Sequence, residues 1–295
     1  MPDQITVASV QQYKANVELL LQQEGSRLRG MVTTGSHVGK AASVVEQFGA
    51  STAVKKVNRH ADTPLLDVPQ DKRWVFPLDY EWASLIDNQD KLRMIIDPNS
   101  PYARAGAAAM NRAMDDEILI AIFGTNFTGE NGTTTETFGT VGSGTYDVST
   151  DVGGTGTNMN VAKLQSAIQK LMLANKGELM EAVNGVITST EHDSLLKEVQ
   201  VHNKDFGGSA VLVDGKVSRF MGITFTISER LAVVNSTGHL CPVFMKSGVY
   251  LGMWNDLMTR VSERADKSHA TQIYLCDTFG ATRTQLGKTI RVSTT

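Results

Sequence analysis

Residues 101–123 limit the possible folds more than any other stretch. Met110, Met114, Ile118, Ala121 and Ile122 recur at helical spacing and make one apolar stripe. Ser100 supplies an N-cap, and Pro101 stands at the first helical position, where a missing N–H costs nothing. Gly124 supplies a stop. At about 1.5 Å per residue the helix reaches roughly 35 Å, while the average helix has only about 11–12 residues. A helix this long is the backbone of a domain. The segments around it read as strands, so the expected fold class is α+β.

Upstream, residues 50–82 hold two extended runs. In the first, 52–59, Val54 and Val57 lie among Lys55, Lys56 and Arg59. In the second, 73–82, Trp74, Phe76, Leu78 and Tyr80 share one face by period two. Asp62, Pro64, Asp67, Pro69 and Asp71 separate the runs and favour turns. The expectation is a long hairpin whose arms each reach roughly 30 Å. An isolated hairpin is marginal in water, so this one should lie on a neighbouring molecule. Before it, Val17, Leu20 and Leu21 give a short amphipathic piece, which Gly25, Gly30, Gly35 and Gly39 interrupt. That segment has too few apolar residues for a core of its own.

Residues 124–158 are rich in Gly, Thr and Ser, which predicts short strands and turns with a mobile tip. A second helix follows, capped by Asn160, with a stripe of Val161, Leu164, Ile168, Leu171 and Met172 and a stop at Gly177. A short strand at 185–188 precedes a third helix. Thr190 and Asp193 stand there in capping-box-like spacing, ahead of Leu195, Leu196 and Val199. Asp214-Gly215 between Val-rich runs predicts a hairpin. Ile223, Phe225 and Ile227 alternate with polar residues, as in a half-buried strand. Residues 242–254 are apolar and suited to a strand. From 271 to 295 two β segments flank a Gly-containing bend.

The chain has 295 residues, 41% hydrophobic and 20% charged, with net charge −3. That length supports a sizeable core in one or two domains. No run of Lys and Arg exceeds two, so there is no basic face for dedicated DNA or RNA binding. Cys241 and Cys276 stand in apolar stretches and read as buried thiols in a reducing compartment. No apolar run reaches about 18 residues, and the first residues lack the pattern of a secretory signal, so no membrane is expected to be crossed.

Motifs of chemistry are missing where they would be sought. Gly35 to Ala41 has three residues between its glycines and Ala after Lys40, and Gly287-Lys288-Thr289 has Thr282 where a phosphate loop needs glycine. The six histidines, His37, His60, His192, His202, His239 and His269, include no i, i+4 pair. The cysteines form no CxxC, so structural zinc is not expected. Asp115, Asp116 and Glu117 point about 100° apart on a helix and do not converge, so they read as a solvated or subunit-facing strip near Arg104 and Arg112. No Gly-x-Ser-x-Gly elbow occurs. The expectation is no catalytic, cofactor or metal site.

The order of these parts, with the stretches RHADTPLLDVPQDKRWVFPLDYEWASLIDNQDKLRMIIDPNSPYARAGAAAMNRAMDDEIL, VDGKVSRFMGITFTISERL and IRVST, resembles the major capsid proteins of tailed bacteriophages, the Hong Kong ninety-seven fold family. The resemblance implies an N-terminal arm at 1–49 and an extended E-loop at 50–82. It implies a peripheral domain at 83–158 with the spine helix at 101–123, an axial domain at 159–270 and return strands at 271–295. It also implies a virion component, assembled in the bacterial host cytoplasm from pentamers and hexamers of itself. The closed icosahedral shell would enclose double-stranded DNA without sequence-specific binding. A portal is implied, and since the chain begins directly with the short arm, so is either a separate scaffolding protein or assembly without one. Subunit contacts would fall on Lys55, Lys56, Arg59, Trp74, Phe76 and Tyr80. The alternatives are another self-assembling virion part, such as a tail-tube or decoration protein, or an α/β enzyme. Tail-tube proteins are mostly β, which the helix at 101–123 opposes, and an enzyme needs a convergent polar site.

Overall fold

Helix α1 (Asn99–Phe123) confirms the long-helix expectation over 25 residues. Its five stripe residues, Met110, Met114, Ile118, Ala121 and Ile122, are all buried. The helix starts before the expected cap, so Ser100 lies inside the first turn and Pro101 at the third position. None of the first four N–H groups of a helix has an intrahelical partner, so proline is tolerated there too. At the other end the Gly124 N–H meets Ile120 O at 2.7 Å. A Cβ on Gly124 would fall 2.6 Å from that same oxygen.

The computed structural model describes residues 22–59, 62–63, 65–87, 99–139, 144–177, 181–198, 217–234 and 238–295. Its strands are β1 (Thr33–Ser36), β2 (Ala42–Phe48), β3 (Gln70–Val75), β4 (Leu78–Ile86), β5 (Asn126–Thr128), β6 (Thr134–Glu136), β7 (Asp147–Val148), β8 (Val183–Ile187), β9 (Arg219–Phe220), β10 (Ile223–Ile227), β11 (Val233–Val234), β12 (Gly238–Met245), β13 (Val249–Arg264), β14 (Ala270–Arg283) and β15 (Thr289–Ser293). Two further helices are α2 (Val161–Ala174) and α3 (Ser189–Lys197). The amphipathic piece around Val17 and the Asp214-Gly215 turn lie outside the described residues. So do Val199, His60 and His202.

The chain divides into two compact units, and α1, β13 and β14 each pass from one to the other. The smaller takes residues up to Ser26, Asp79–Ala113 and Asn255–Thr278. Its core is Ile86, Met110, Ile273 and Leu275, with Tyr80, Trp82, Ala103 and Ala107 packed against them. Gly106 lets helix meet sheet, since a Cβ there would lie 2.6 Å from the Trp82 ring. The outer face is polar. Tyr274 Oη donates to Glu81 and Thr278 Oγ1 to Asp79, both at 2.8 Å.

The larger unit takes Arg27–Leu78, Met114–Trp254 and Phe279–Thr295. A seven-stranded sheet in the order β7-β15-β12-β8-β10-β9, with β11 beside β12, forms its centre. Every residue of β8 is buried, as suits a strand covered on both faces. Helix α2 starts where expected, and Asn160 Oδ1 accepts from the Lys163 N–H at 2.8 Å. Val161, Leu164 and Leu171 are buried as read, but Met172 is exposed, and Lys163 and Ala167 complete the buried face. In α3 the capping pair is Thr188 and Glu191, not Thr190 and Asp193. The strand before it ends at Ile187, two residues earlier than the Thr190 reading needs. The tight hairpin joining β9 to β10 turns at Met221 and Gly222, both at positive φ. Ile223 and Phe225 are buried, as the alternation predicted.

A four-stranded sheet, β2-β3-β5-β6, carries the hairpin. Here the structure corrects the reading. The antiparallel partner of β3 is β2, from Ala42↔Val75 to Phe48↔Gln70. Residues 52–59 belong to no strand. Val54 and Val57 are three apart, which puts them on opposite faces of any strand, so nothing rewards pairing there. The second run also breaks between β3 and β4 at Phe76 and Pro77, where proline has no N–H to donate.

Candidate subunit-contact surface

The hairpin tip, residues 49–69, has no ladder to another strand among its described residues. Lys55, Lys56 and Arg59 are all exposed on it. So are Val54, Val57 and Leu66, and Leu65 is 97% exposed. Such apolar exposure on an extended segment is unusual unless something covers it.

Trp74, Phe76 and Tyr80 fall into different surroundings. Trp74 is half-buried, with Nε1 donating to Gly129 O at 2.8 Å. Its indole rests on Gly132 (φ +68), where a Cβ would lie 2.9 Å from Cγ. Phe76 meets Phe127 edge-on, centroids 5.0 Å apart, and stays 37% exposed. Tyr80 is half-buried on the smaller unit's core. Phe76 is therefore the most available of the three, and Trp74 is largely an internal anchor.

Two clefts flank the C-terminal half of α1, and Ile120, 62% exposed, lines both. One, of about 230 Å³, is walled by Phe76, Leu78, Ala121 and Phe127. The other, of about 370 Å³, is walled by Leu119, Phe123, Leu231 and Leu240, with Asp116 and Arg230 paired at its edge. Sequence reasoning missed this face because Ile120 looks like one more helix apolar. Its position off the 110–114–118 row was the signal available.

The acidic cluster on α1 is not a solvated strip. Asp115 is fully buried and accepts from the backbone N–H of Arg27 (3.0 Å) and Leu28 (3.2 Å). Asp116 pairs with Arg230. Arg112 donates to Gln22 Oε1 and Gln23 O, and Arg104 faces Glu24. At the far end of the helix Arg283 is fully buried and donates to Ile122 O (2.7 Å) and Gly124 O (3.3 Å). A cation there complements the helix dipole. Burial draws its pKa down to about 10.

The polar convergence that the sequence hid is at α3, α2 and β12. Glu191 accepts from Thr188 N (3.0 Å), from the Thr188 hydroxyl, from Thr294 Oγ1 (2.8 Å) and shares a proton with His239 Nδ1 (2.9 Å). The Glu191 carboxylate lies close enough to raise the pKa of both Lys163 and Cys241. The set does not make a nucleophile. Burial pushes the Cys241 thiol far up, and a reactive cysteine needs the opposite. Lys163 is spent on two backbone carbonyls. His192 Nε2 accepts from Val217 N, and Lys288 donates to Ser247 Oγ, so neither is a free chemical group. Among the described residues no group of three or more His, Cys, Asp or Glu could hold a metal ion, and no helix is long and apolar enough to cross a membrane. Both cysteines are free thiols, Cys241 buried and Cys276 partly so.

The fold is that of capsid subunits. It matches the capsid of the cyanophage P-SCSP1u with TM-score 0.74 at 15% identity, over 99% of this chain and 94% of that one. The capsid of a native GTA particle matches with TM-score 0.72 at 13% identity, covering 96% and 94%. The mature capsid of bacteriophage PhiM1 matches with TM-score 0.70 at 12% identity, covering 97% and 92%. No curated protein matches in sequence. The phage capsid protein profile matches residues 5–295, and the chain belongs to that family. Its role is structural, as a major capsid component of the virion.

Proposed function

We propose that many copies of this chain close into an icosahedral shell of pentamers and hexamers around double-stranded DNA. The observation that carries this is the pairing, on one chain, of an exposed apolar loop with exposed apolar clefts. Leu65, Leu66, Val54 and Val57 are presented outward, and Ile120, Phe76 and Phe127 offer a surface of the same character. A patch and its complement at different places on one subunit make a heterologous contact, which closes into rings or shells when the rotation allows. Each contact is modest, but closure makes every subunit hold several neighbours. The loop at 50–82 reaches the next subunit, with Phe76, Lys55, Lys56 and Arg59 at the contact and Trp74 and Tyr80 supporting it from within. The arm is 1–49, the peripheral domain 83–158, the axial domain 159–270 and the return strands 271–295. Assembly takes place in the bacterial host cytoplasm with a separate scaffolding protein and a portal. The net charge of −3 keeps the wall from gripping its cargo.

The test is negative-stain electron microscopy of Leu65→Ser and Phe76→Ala, separately, beside the wild type with its scaffolding partner. Closed particles from the wild type, and folded chains that form none from the variants, are expected. Normal shells from both variants would remove the loop from the contact. A wild type that never assembles would remove the shell.

A further inference from the structure

Strand β1 has only four residues, and it pairs in parallel at the edge of its sheet with the start of β13, Thr33↔Tyr250 to Ser36↔Met253. Upstream, Asp115 grips the N–H groups of Arg27 and Leu28. Downstream, before β2 begins at Ala42, the recorded contacts come from His37. Its N–H donates to Met253 O at 2.8 Å and its Nε2 lies 2.8 Å from Tyr250 Oη. Its ring tilts against Tyr250 (centroids 5.6 Å) and Trp254 (5.4 Å). Beyond it, Val38 is exposed and Gly39 takes φ +102. Two glycines facing each other on one rung, Gly35 and Gly252, make room for the rings. A Cβ on Gly35 would strike Tyr250 Oη, and one on Gly252 would lie 3.0 Å from Trp254 and 3.1 Å from His37.

We propose that His37 is a pH-sensitive clasp, which holds β1 on β13 while neutral and lets it go when protonated. Tyr250 is the titratable group that faces the ring, from β13. Trp254, also from β13, lies against the ring, and Val75, from β3, lies beside Gly252. Burial lowers the pKa of the imidazole. An imidazolium there loses part of its hydration, and among the described residues no carboxylate pairs with the ring, which leaves the aromatic faces and the Tyr250 hydroxyl as its compensation. In the tautomer whose Nε2 accepts from Tyr250, protonation makes Nε2 a donor and the hydroxyl must turn round to accept. The sign follows. A base whose folded pKa is depressed gives stability that is complete above its unfolded value of 6.5 and is lost as pH falls through the folded one. Release bares the β13 edge from Tyr250 to Met253 as a free row of N–H and C=O groups. This regulation is separate from the shell reading and is tested on the unassembled chain.

Amide exchange of Thr34 to His37, corrected for intrinsic rates, is measured from about pH 8 to about pH 5 on the wild type and on His37→Gln, which keeps a neutral hydrogen-bonding group. The opening constant of the wild type is expected to rise as pH falls, by at most about tenfold per pH unit for one linked proton. The variant should stay flat. Identical pH profiles in the two chains overturn the clasp. Direct NMR titration of His37 in the wild type needs no variant, and a titration at or above 6.5 overturns it independently.

Discussion

Replacing Lys163 with Met separates two effects that the native lysine combines. Its ammonium has no solvent exposure and donates to Thr157 O and, at 2.9 Å, to Ser293 O. Those bonds tie the loop before α2 to β15. Burial also lowers its pKa from 10.5 to about 8, with the pull of Cys241, Asp151 and Glu191 offsetting only part. Between about 8 and 10.5 the unfolded chain keeps a proton that the native chain has released, so native stability rises with pH across that window. At about 1.4 kcal/mol per pH unit, the interval is worth at most about 3.5 kcal/mol. At neutral pH the variant loses two charge-assisted bonds of about 1.5–3 kcal/mol each but escapes the desolvation cost, so we expect it to be less stable by up to about 3 kcal/mol. The assay is urea unfolding of both unassembled chains at steps from about pH 7 to about pH 10.5. The wild type should pull further ahead of Lys163→Met mainly above pH 8. Stability profiles that run parallel would refute the reasoning, because they would mean that native and unfolded chains hold the lysine proton equally.

Other perturbations have equally definite outcomes. Gly280→Ala would put a Cβ 2.1 Å from Phe76 O and should leave little soluble protein, whereas Gly30→Ala meets nothing within 4 Å and should not shift the melting temperature. Ile118→Ala empties a fully buried site and should cost about 2–5 kcal/mol in urea unfolding, while Ile120→Ala, two residues on, should change the unassembled chain by less than about 0.5 kcal/mol. Glu191→Ala strips the shared acceptor from Thr188, His239 and Thr294 and should cost about 3 kcal/mol or more, with calorimetry as the check.

Elements that obey one strong local rule were legible before any coordinates. The stripe of α1, the Asn160 cap and the alternation at Ile223 and Phe225 all come from period and capping, and these act within a few residues. Partnership across the chain was not legible. Nothing near Ala42–Phe48 says that this strand, and not 52–59, pairs with β3, because register is decided by residues far apart in sequence. Lys163 and Arg283 were unreadable for a related reason. Long charged side chains normally face water, and what buries these is a set of backbone carbonyls that no motif announces. The residues proposed for subunit contact divide in their surroundings. Lys55, Lys56, Arg59 and Phe76 are exposed, while Trp74 meets a carbonyl of the β5–β6 turn.

Strand β15 stands between β7 and β12, and among the described residues β7 has no other neighbour in its sheet. On the ribosome, β7 and β12 are made first and must wait with a vacant slot between them. A prematurely released chain therefore carries two open strand edges and an exposed apolar interior. Unpaired edges of that kind are where chains aggregate or are cut, so the last strand to be made is also the one that seals the sheet.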